Sequence, residues 1–539
     1  MKPSKFLIIV LFLSYFKANG QTIFLNSYGD ENANQFVSQV TDNNGNSYFT
    51  GTFYGSTFQF GDITLSSEYS STPFIVKVDK NGDAVWAVVE PNEASIQMYD
   101  IILDNNNNII ICGIFYNEDA VFSGIVLPLG TSNSFLVKYD PDGNIIWANS
   151  LSGNSPAFIN LAIDDDDNII VGGENSGALT FMGEDVDFFG EYDLIIVKYD
   201  KNGNEIWLKS YGSTGNESIS NIATDHDGNI FISARYTTTF SIGAINIINF
   251  GLSDALIMKT NAMGDVIWVK TITGPDDGYD ISGIAADENN DVYLCAEISN
   301  GELLFGMPVN NYGYSDVYLI KMHGSDGALS WYKFGGGSNY DHSASIVIAQ
   351  EGVFISGTFM GAAEFDGLQL YTEFVNTFVA AYELDGDIVQ VYSITGNDFV
   401  SPIGLDIDAL GHVYCSGTFF ENAIVEGATE LVTAGSIDIF LFKFGSVLVD
   451  INAFAYPEFT IDIFPNPAQE NITLNFPELS NSPAQITIVN ASGQVVIVTN
   501  DLNLSEKLIL DIKFLPAGIY SVLIADNNNI ISSQKFVKL

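Results

Sequence analysis

The 539-residue sequence predicts an all-β protein on three observations. A strand-turn-strand phrase returns at a step of about 61 residues. Its short runs, rich in Val, Ile, Phe and Tyr, alternate apolar with polar residues and show no helical period. The pattern then changes character after Gly445. Together these predict a seven-bladed β-propeller over residues 21–446 closed by its own N-terminal strand, a linker at 447–458, and a small C-terminal β-sandwich at 459–539.

The chain begins as an export signal would. Lys2 and Lys5 precede an apolar run from Phe6 to Phe16, and Ala18-Asn19-Gly20 supplies small residues before a cut at Gln21. The apolar run is too short to span a bilayer. No later stretch reaches membrane length, since even Val447–Tyr456 is interrupted by Asp450 and Asn452. Residues 1–20 are therefore expected to be a signal peptide, leaving a mature protein without a transmembrane segment.

The repeat is clearest in Phe74–Asp79 with Gly82 and Trp86, in Phe135–Asp140 with Gly143 and Trp147, and in Ile195–Asp200 with Gly203 and Trp207. Weaker copies carry Lys259, Gly264 and Trp268, then Lys321, Gly327 and Trp331. A sixth has Ala381 and Gln390 around Gly386, and a seventh stops at Phe440–Phe444 with Lys443. A second phrase keeps the same period, with Asp42, Asp104, Asp164, Asp225, Asp287, Ala349 and Asp408 at matching places. The unit near Ser218 reads as four strands, Ser220–Thr224, Ile230–Tyr236, Ala255–Thr260 and Val266–Thr271. An extra hairpin is expected between the second and third. Four strands per 61 residues describe propeller blades.

The ends of the array fix the count. No Trp-bearing strand follows Phe440–Phe444, whereas Thr22–Gly29 matches Ile206–Gly212 with Phe24 at the Trp position. A spare strand at the front and a missing one at the back make one blade between them, which removes two sheet edges.

These phrases resemble the short repeats of exported bacterial β-propeller proteins, through Asp42, Gly45, Asn46, Tyr48 and Gly51 and through Phe74, Lys77, Asp79, Gly82 and Trp86. The resemblance implies fold and export and brings no common catalytic residue. In the C-terminal segment, Pro465-Asn466-Pro467-Ala468 is followed by Gly493-Gln494-Val495, by Leu515-Pro516-Ala517-Gly518-Ile519-Tyr520, and by a last strand with Lys535. That order resembles the type A sorting domain of the type IX secretion system of Bacteroidetes. It implies that the secretion machinery is a partner and that the cargo ends up secreted or on the outer cell surface.

Charge narrows the ligands. Asp and Glu outnumber Lys and Arg by 66 to 19, for a net charge of −47, so the chain would be repelled by nucleic acid and anionic lipid. Four histidines and three cysteines leave little for an imidazole cage or a disulfide framework. No cofactor is demanded. Calcium at Asp164-Asp165-Asp166-Asp167 is the single cation candidate, because four like charges in one turn repel each other. The twelve-residue calcium-loop frame is missing, and Asp-rich turns also form for local hydrogen-bonding reasons.

Loops between an outer strand and the next inner strand gather at a propeller's channel mouth. There Glu217, Tyr279, Asp280, Tyr340, Asp341 and His342 combine carboxylates with aromatic rings, which suits a glycan or protein ligand. The leading expectation is a secreted or surface binding module. The alternatives are a glycan-degrading hydrolase or lyase using mouth carboxylates, and a structural adhesin. No nucleophile motif favours the enzyme.

Overall fold

The computed structural model describes residues 22–29, 34–130, 132–153, 156–274, 279–349, 352–425, 430–435, 437–445, 462–475, 483–490, 495–503, 507–513, 515–516, 518–526 and 529–538. These residues are all-β, with no helix among them. They divide into two compact units, within Gly20–Ser446 and within Val447–Leu539. The expected signal and linker lie outside the described residues.

In the first unit the strands run as antiparallel meanders of four. Gln35–Thr41, Ser47–Tyr54, Ser71–Val78 and Ala84–Val89 pair in that order to make the first set. Among the described residues, seven such sets follow one another. Their first strands are Gln35–Thr41, Ser95–Leu103, Ala157–Ile163, Glu217–Thr224, Tyr279–Ala286, His342–Ala349 and Val400–Ile407. Each touches the next, and the last touches the first. This cyclic packing is a β-propeller. In the last set the fourth strand is Thr22–Tyr28, which pairs with Asp438–Phe444 through Leu25 opposite Phe442 and Ser27 opposite Phe440.

The repeated residues close turns within a set and tie one set to the next. Asp164 Oδ1 accepts the N–H groups of Asp166 (3.1 Å) and Asn168 (2.9 Å), closing the turn between first and second strands. Asp42, Asp104, Asp225, Asp287 and Asp408 make the same two bonds in their own turns. Each Trp of the fourth strand works across sets. Trp207 Nε1 donates to Ala262 O at 3.2 Å, and its ring lies against Gly264, where a Cβ would come within 3.2 Å of it. Gly264 also has φ +79°, so the turn demands glycine twice over. The sixth set has Gln390 instead of Trp because the seventh set offers no such turn. Its fourth strand comes from the other end of the chain.

The hairpin expected between second and third strands is present and reaches backwards. Gly153 pairs with Leu179, Ile272 with Leu304, Gly335 with Phe365 and Ile394 with Val425, so four of these hairpins extend the sheet of the preceding set, while those at 57–66, 120–127 and 240–247 pair only within themselves. Periodicity reveals the hairpin, but its partner lies in another repeat and leaves no mark within one.

The second unit has two sheets. One orders Asp462–Phe464, Asn471–Asn475 and Lys507–Asp511, and the other Val495–Asn503, Pro483–Asn490, Gly518–Asp526 and Asn529–Lys538. Ile472, Leu474, Ile486, Ile488, Leu510 and Val522 share one buried cluster between them.

Candidate functional site

Three of the predicted mouth residues fall into one arrangement. His342 starts its strand, and its Nδ1 lies 2.6 Å from Glu297 Oε2 on the second strand of the preceding set. The hydrogen bond to Glu297 raises the imidazole pKa above its ordinary value against the opposing effect of burial, so the imidazolium is favoured. Tyr340 stacks nearly parallel on His342 (6.5 Å, 6°) and on Tyr314 (4.9 Å, 15°), giving a ladder of three rings. All three remain more than half exposed. Asp280 lies within electrostatic reach of Arg235, Glu297 and His342. Burial pushes its carboxyl upward while Arg235 pulls it down. Arg235, the only arginine in the chain, donates from Nη2 to Ser253 Oγ at 3.0 Å.

Glu217 and Asp341 are placed differently. Both are fully buried. Glu217 accepts Ser213 N (2.7 Å) and Ser213 Oγ (2.5 Å), and Asp341 Oδ2 accepts Gly337 N at 2.6 Å, so each carboxylate clamps the loop four residues before it. Burial lifts Asp341 to about 6. His342 thus takes its acid partner from the neighbouring set instead of from the adjacent Asp341. The Tyr279 side chain lies outside the described residues.

Sequence reasoning passed over Glu297, Arg235 and Tyr314. They stand on second strands or in the loop before a third strand, so only the register of neighbouring sets brings them to the mouth. The one available signal was the single arginine in so acidic a chain.

The calcium candidates are parcelled out among protein partners. Asp164 Oδ2 contacts Lys198 Nζ at 2.8 Å, Asp165 Oδ2 lies 3.0 Å from His226 Nδ1, and Asp167 Oδ1 accepts Asn105 N at 2.9 Å. Among the described residues, no three His, Cys, Asp or Glu side chains are grouped to hold a metal ion.

The C-terminal motif residues also converge. Asn466 Oδ1 accepts Val537 N and Ala468 N donates to Val537 O, both at 2.8 Å, which ties Pro465-Asn466-Pro467-Ala468 to the last strand. Tyr520 Oη donates to Pro516 O at 2.9 Å, next to buried Leu515. Gly518 pairs with Lys538 and Ser521 with Lys535. Gly493 and the Lys535 side chain lie outside the described residues. Residues 462–539 match the secretion system C-terminal sorting domain. The last module is a secretion sorting domain. The sorting domain marks the chain for type IX export to the cell surface or the extracellular space.

The rest of the chain has more distant likenesses. It is 31% identical over 222 residues to the uncharacterized WD repeat-containing protein L264 of Acanthamoeba polyphaga mimivirus, covering 34% of this chain and 16% of that one. It is 25% identical over 289 residues to the regulatory protein FlaEY of Caulobacter vibrioides, covering 49% and 29%. The chain therefore spans less than a third of either relative's length. Among solved structures, the β-propeller domain of the trilobed protease from Pyrococcus furiosus is 10% identical with a TM-score of 0.41, covering 78% of this chain and 99% of that one. The quinohemoprotein alcohol dehydrogenase from Comamonas testosteroni is 11% identical with a TM-score of 0.37, covering 83% and 79%.

Proposed function

We propose that this protein is a secreted or cell-surface binding module. In this reading a signal at residues 1–20 delivers it to the periplasm, and the sorting domain behind a linker at 447–458 takes it outside. The cargo is a seven-bladed propeller that holds a glycan or protein ligand on the face carrying Tyr314, Tyr340 and His342. The ring ladder is the observation that carries this reading. Three stacked and exposed rings adjoin Glu297, and Asp280 lies within electrostatic reach of His342 and Arg235, so flat aromatic faces stand beside charged hydrogen-bonding groups. A structure needing only solubility has no use for exposed stacked rings.

The reading is tested by screening the full-length protein on glycan and protein arrays and repeating each hit with Tyr340→Ala and His342→Ala. Loss of tenfold or more in affinity is expected for a ligand held at the ladder. A screen in which no hit is weakened by Tyr340→Ala or His342→Ala would overturn it.

A further inference from the structure

A second concavity lies between the first and second sets. It measures about 500 Å³ and is lined by Tyr54, Tyr69, Tyr116, Gln35, Gln97 and Asn92, among others. That volume falls in the range of small-molecule sites. By strand register Gln35 and Gln97 occupy the places that Asp280 and His342 hold further round the ring. The hollow therefore opens on the same face as the ladder.

We propose that this hollow binds a neutral oligosaccharide. The proposal rests on the reading of that face as a binding surface, and it names a separate place and a ligand class.

The tyrosines are the first argument. Tyr54 and Tyr116 hold the same repeat position, one residue past Phe53 and Phe115, which are fully buried. In the next three sets that position is Ser176, Thr237 and Ser299. Tyr54 and Tyr116 are 41% and 46% exposed, so the core does not require aromatic rings there. An exposed tyrosine offers an apolar face to the C–H side of a pyranose and a hydroxyl to its rim.

The polar groups are the second argument. The Gln97 amide is exposed, and amides donate and accept at once, as sugar hydroxyls do. Gln35 Oε1 accepts Tyr54 Oη at 3.2 Å, orienting that ring. Among the described residues no Lys or Arg lines the hollow, and Glu93 is the one charged residue in its lining. With a chain charge of −47, an anionic glycan would find repulsion and no counter-charge.

The floor is the third. Buried Asn92 accepts Val121 N at 2.6 Å through Oδ1 and donates from Nδ2 to Val121 O (2.9 Å) and Glu90 O (3.0 Å). The hollow is thereby braced before any ligand arrives, which lowers the ordering cost of binding.

The test titrates the full-length protein calorimetrically with neutral oligosaccharides of glucose, galactose and mannose, and with a uronic acid oligomer as the anionic control. At least one neutral oligosaccharide should bind, at least tenfold more weakly to Tyr54→Ala and to Tyr116→Ala, and equally well to His342→Ala. The uronic acid oligomer should not bind. Melting curves of the variants, whose substituted side chains are exposed, should overlay the parent. If no neutral oligosaccharide binds, or if binding ignores Tyr54 and Tyr116, the proposal fails. Binding lost in His342→Ala but kept in Tyr54→Ala and Tyr116→Ala would overturn the hollow alone and leave the ladder standing.

Discussion

Lys198 Nζ lies 2.8 Å from Asp164 Oδ2 with both side chains almost wholly shielded from water. The same pair recurs as Lys138 with Asp104 (2.8 Å) and Lys259 with Asp225 (2.9 Å). Buried ions are costly without a partner, so removing one member strands the other. The sixth set shows the alternative, with Ala349 and Ala381 at the two positions. There Ala349 lies opposite Gly352. Lys198→Ala should therefore cost about 3 kcal/mol or more in urea unfolding. Asp164→Ala with Lys198→Ala should cost at least about 1 kcal/mol less than the two single changes added. Strict additivity would refute the coupling.

Ring closure gives a second prediction. Tyr28 Oη donates to Gly82 O at 2.6 Å, and its ring stacks on Phe60 at 4.4 Å. The N-terminal strand is thus bonded to the last set and packed on the first. Tyr28→Ala should destabilise the fold by about 3 kcal/mol, as for other buried aromatics. Deleting residues 21–29 should lower the melting temperature further, and an unchanged melt of that deletion would rule out the closure.

How much of this was legible in the sequence depends on whether a constraint lies within one repeat. Strand order, the Asp turns and the missing fourth strand could all be read because each recurs or fails in register. The partners of Trp207 and His342 could not, because Ala262 and Glu297 belong to neighbouring sets. The joint loss of Asp and Lys at Ala349 and Ala381 was visible in the letters. It became an ion pair only once the first turn and third strand were seen to touch. Glu217 and Asp341 read as ligand groups because loop carboxylates face water by default, yet both are folded under their own loops.

Opposed carboxylate shifts predict a stability maximum in mild acid. Asp406 is pushed up to about 7, chiefly by desolvation among the inner strands, although it accepts Thr41 N at 2.5 Å. A carboxyl raised on folding stabilises below its unfolded value near 4, and that contribution is lost as pH rises through 7. Asp164 has the opposite sign. Burial raises it, but hydrogen bonds from Lys198 and Asn168 more than offset this and hold it low. Its contribution is present above about pH 4 and lost as pH falls below that. The melting temperature should peak at about pH 4–6. Asp406→Asn should flatten the alkaline limb and spare the acid one, and a limb unchanged in that variant would assign it to other groups.

Calcium supplies a direct measurement on the Asp164–Asp167 turn. Lys198, His226 and the Asn105 N–H already occupy three of its carboxylates. A cation would have to displace them, so millimolar calcium should leave the melting temperature unchanged. A rise abolished by Asp165→Asn and Asp167→Asn would instead mark the turn as a cation site.

The bond from Val537 N to Asn466 Oδ1 makes the sorting domain's first motif and its last strand interdependent. If that assembled surface is what the export machinery reads, damage at either end should have one outcome. Asn466→Ala leaves the exposed Val537 N–H to water and removes a bond worth about 1 kcal/mol. Removing residues 535–539 deletes the partner outright. Both variants should accumulate in the periplasm while the propeller melts as before. A chain ending at Gly445 should be retained completely. Its appearance outside the cell would show that the signal for export lies in the propeller, and retention of Asn466→Ala without retention of the 535–539 deletion would confine recognition to the first motif.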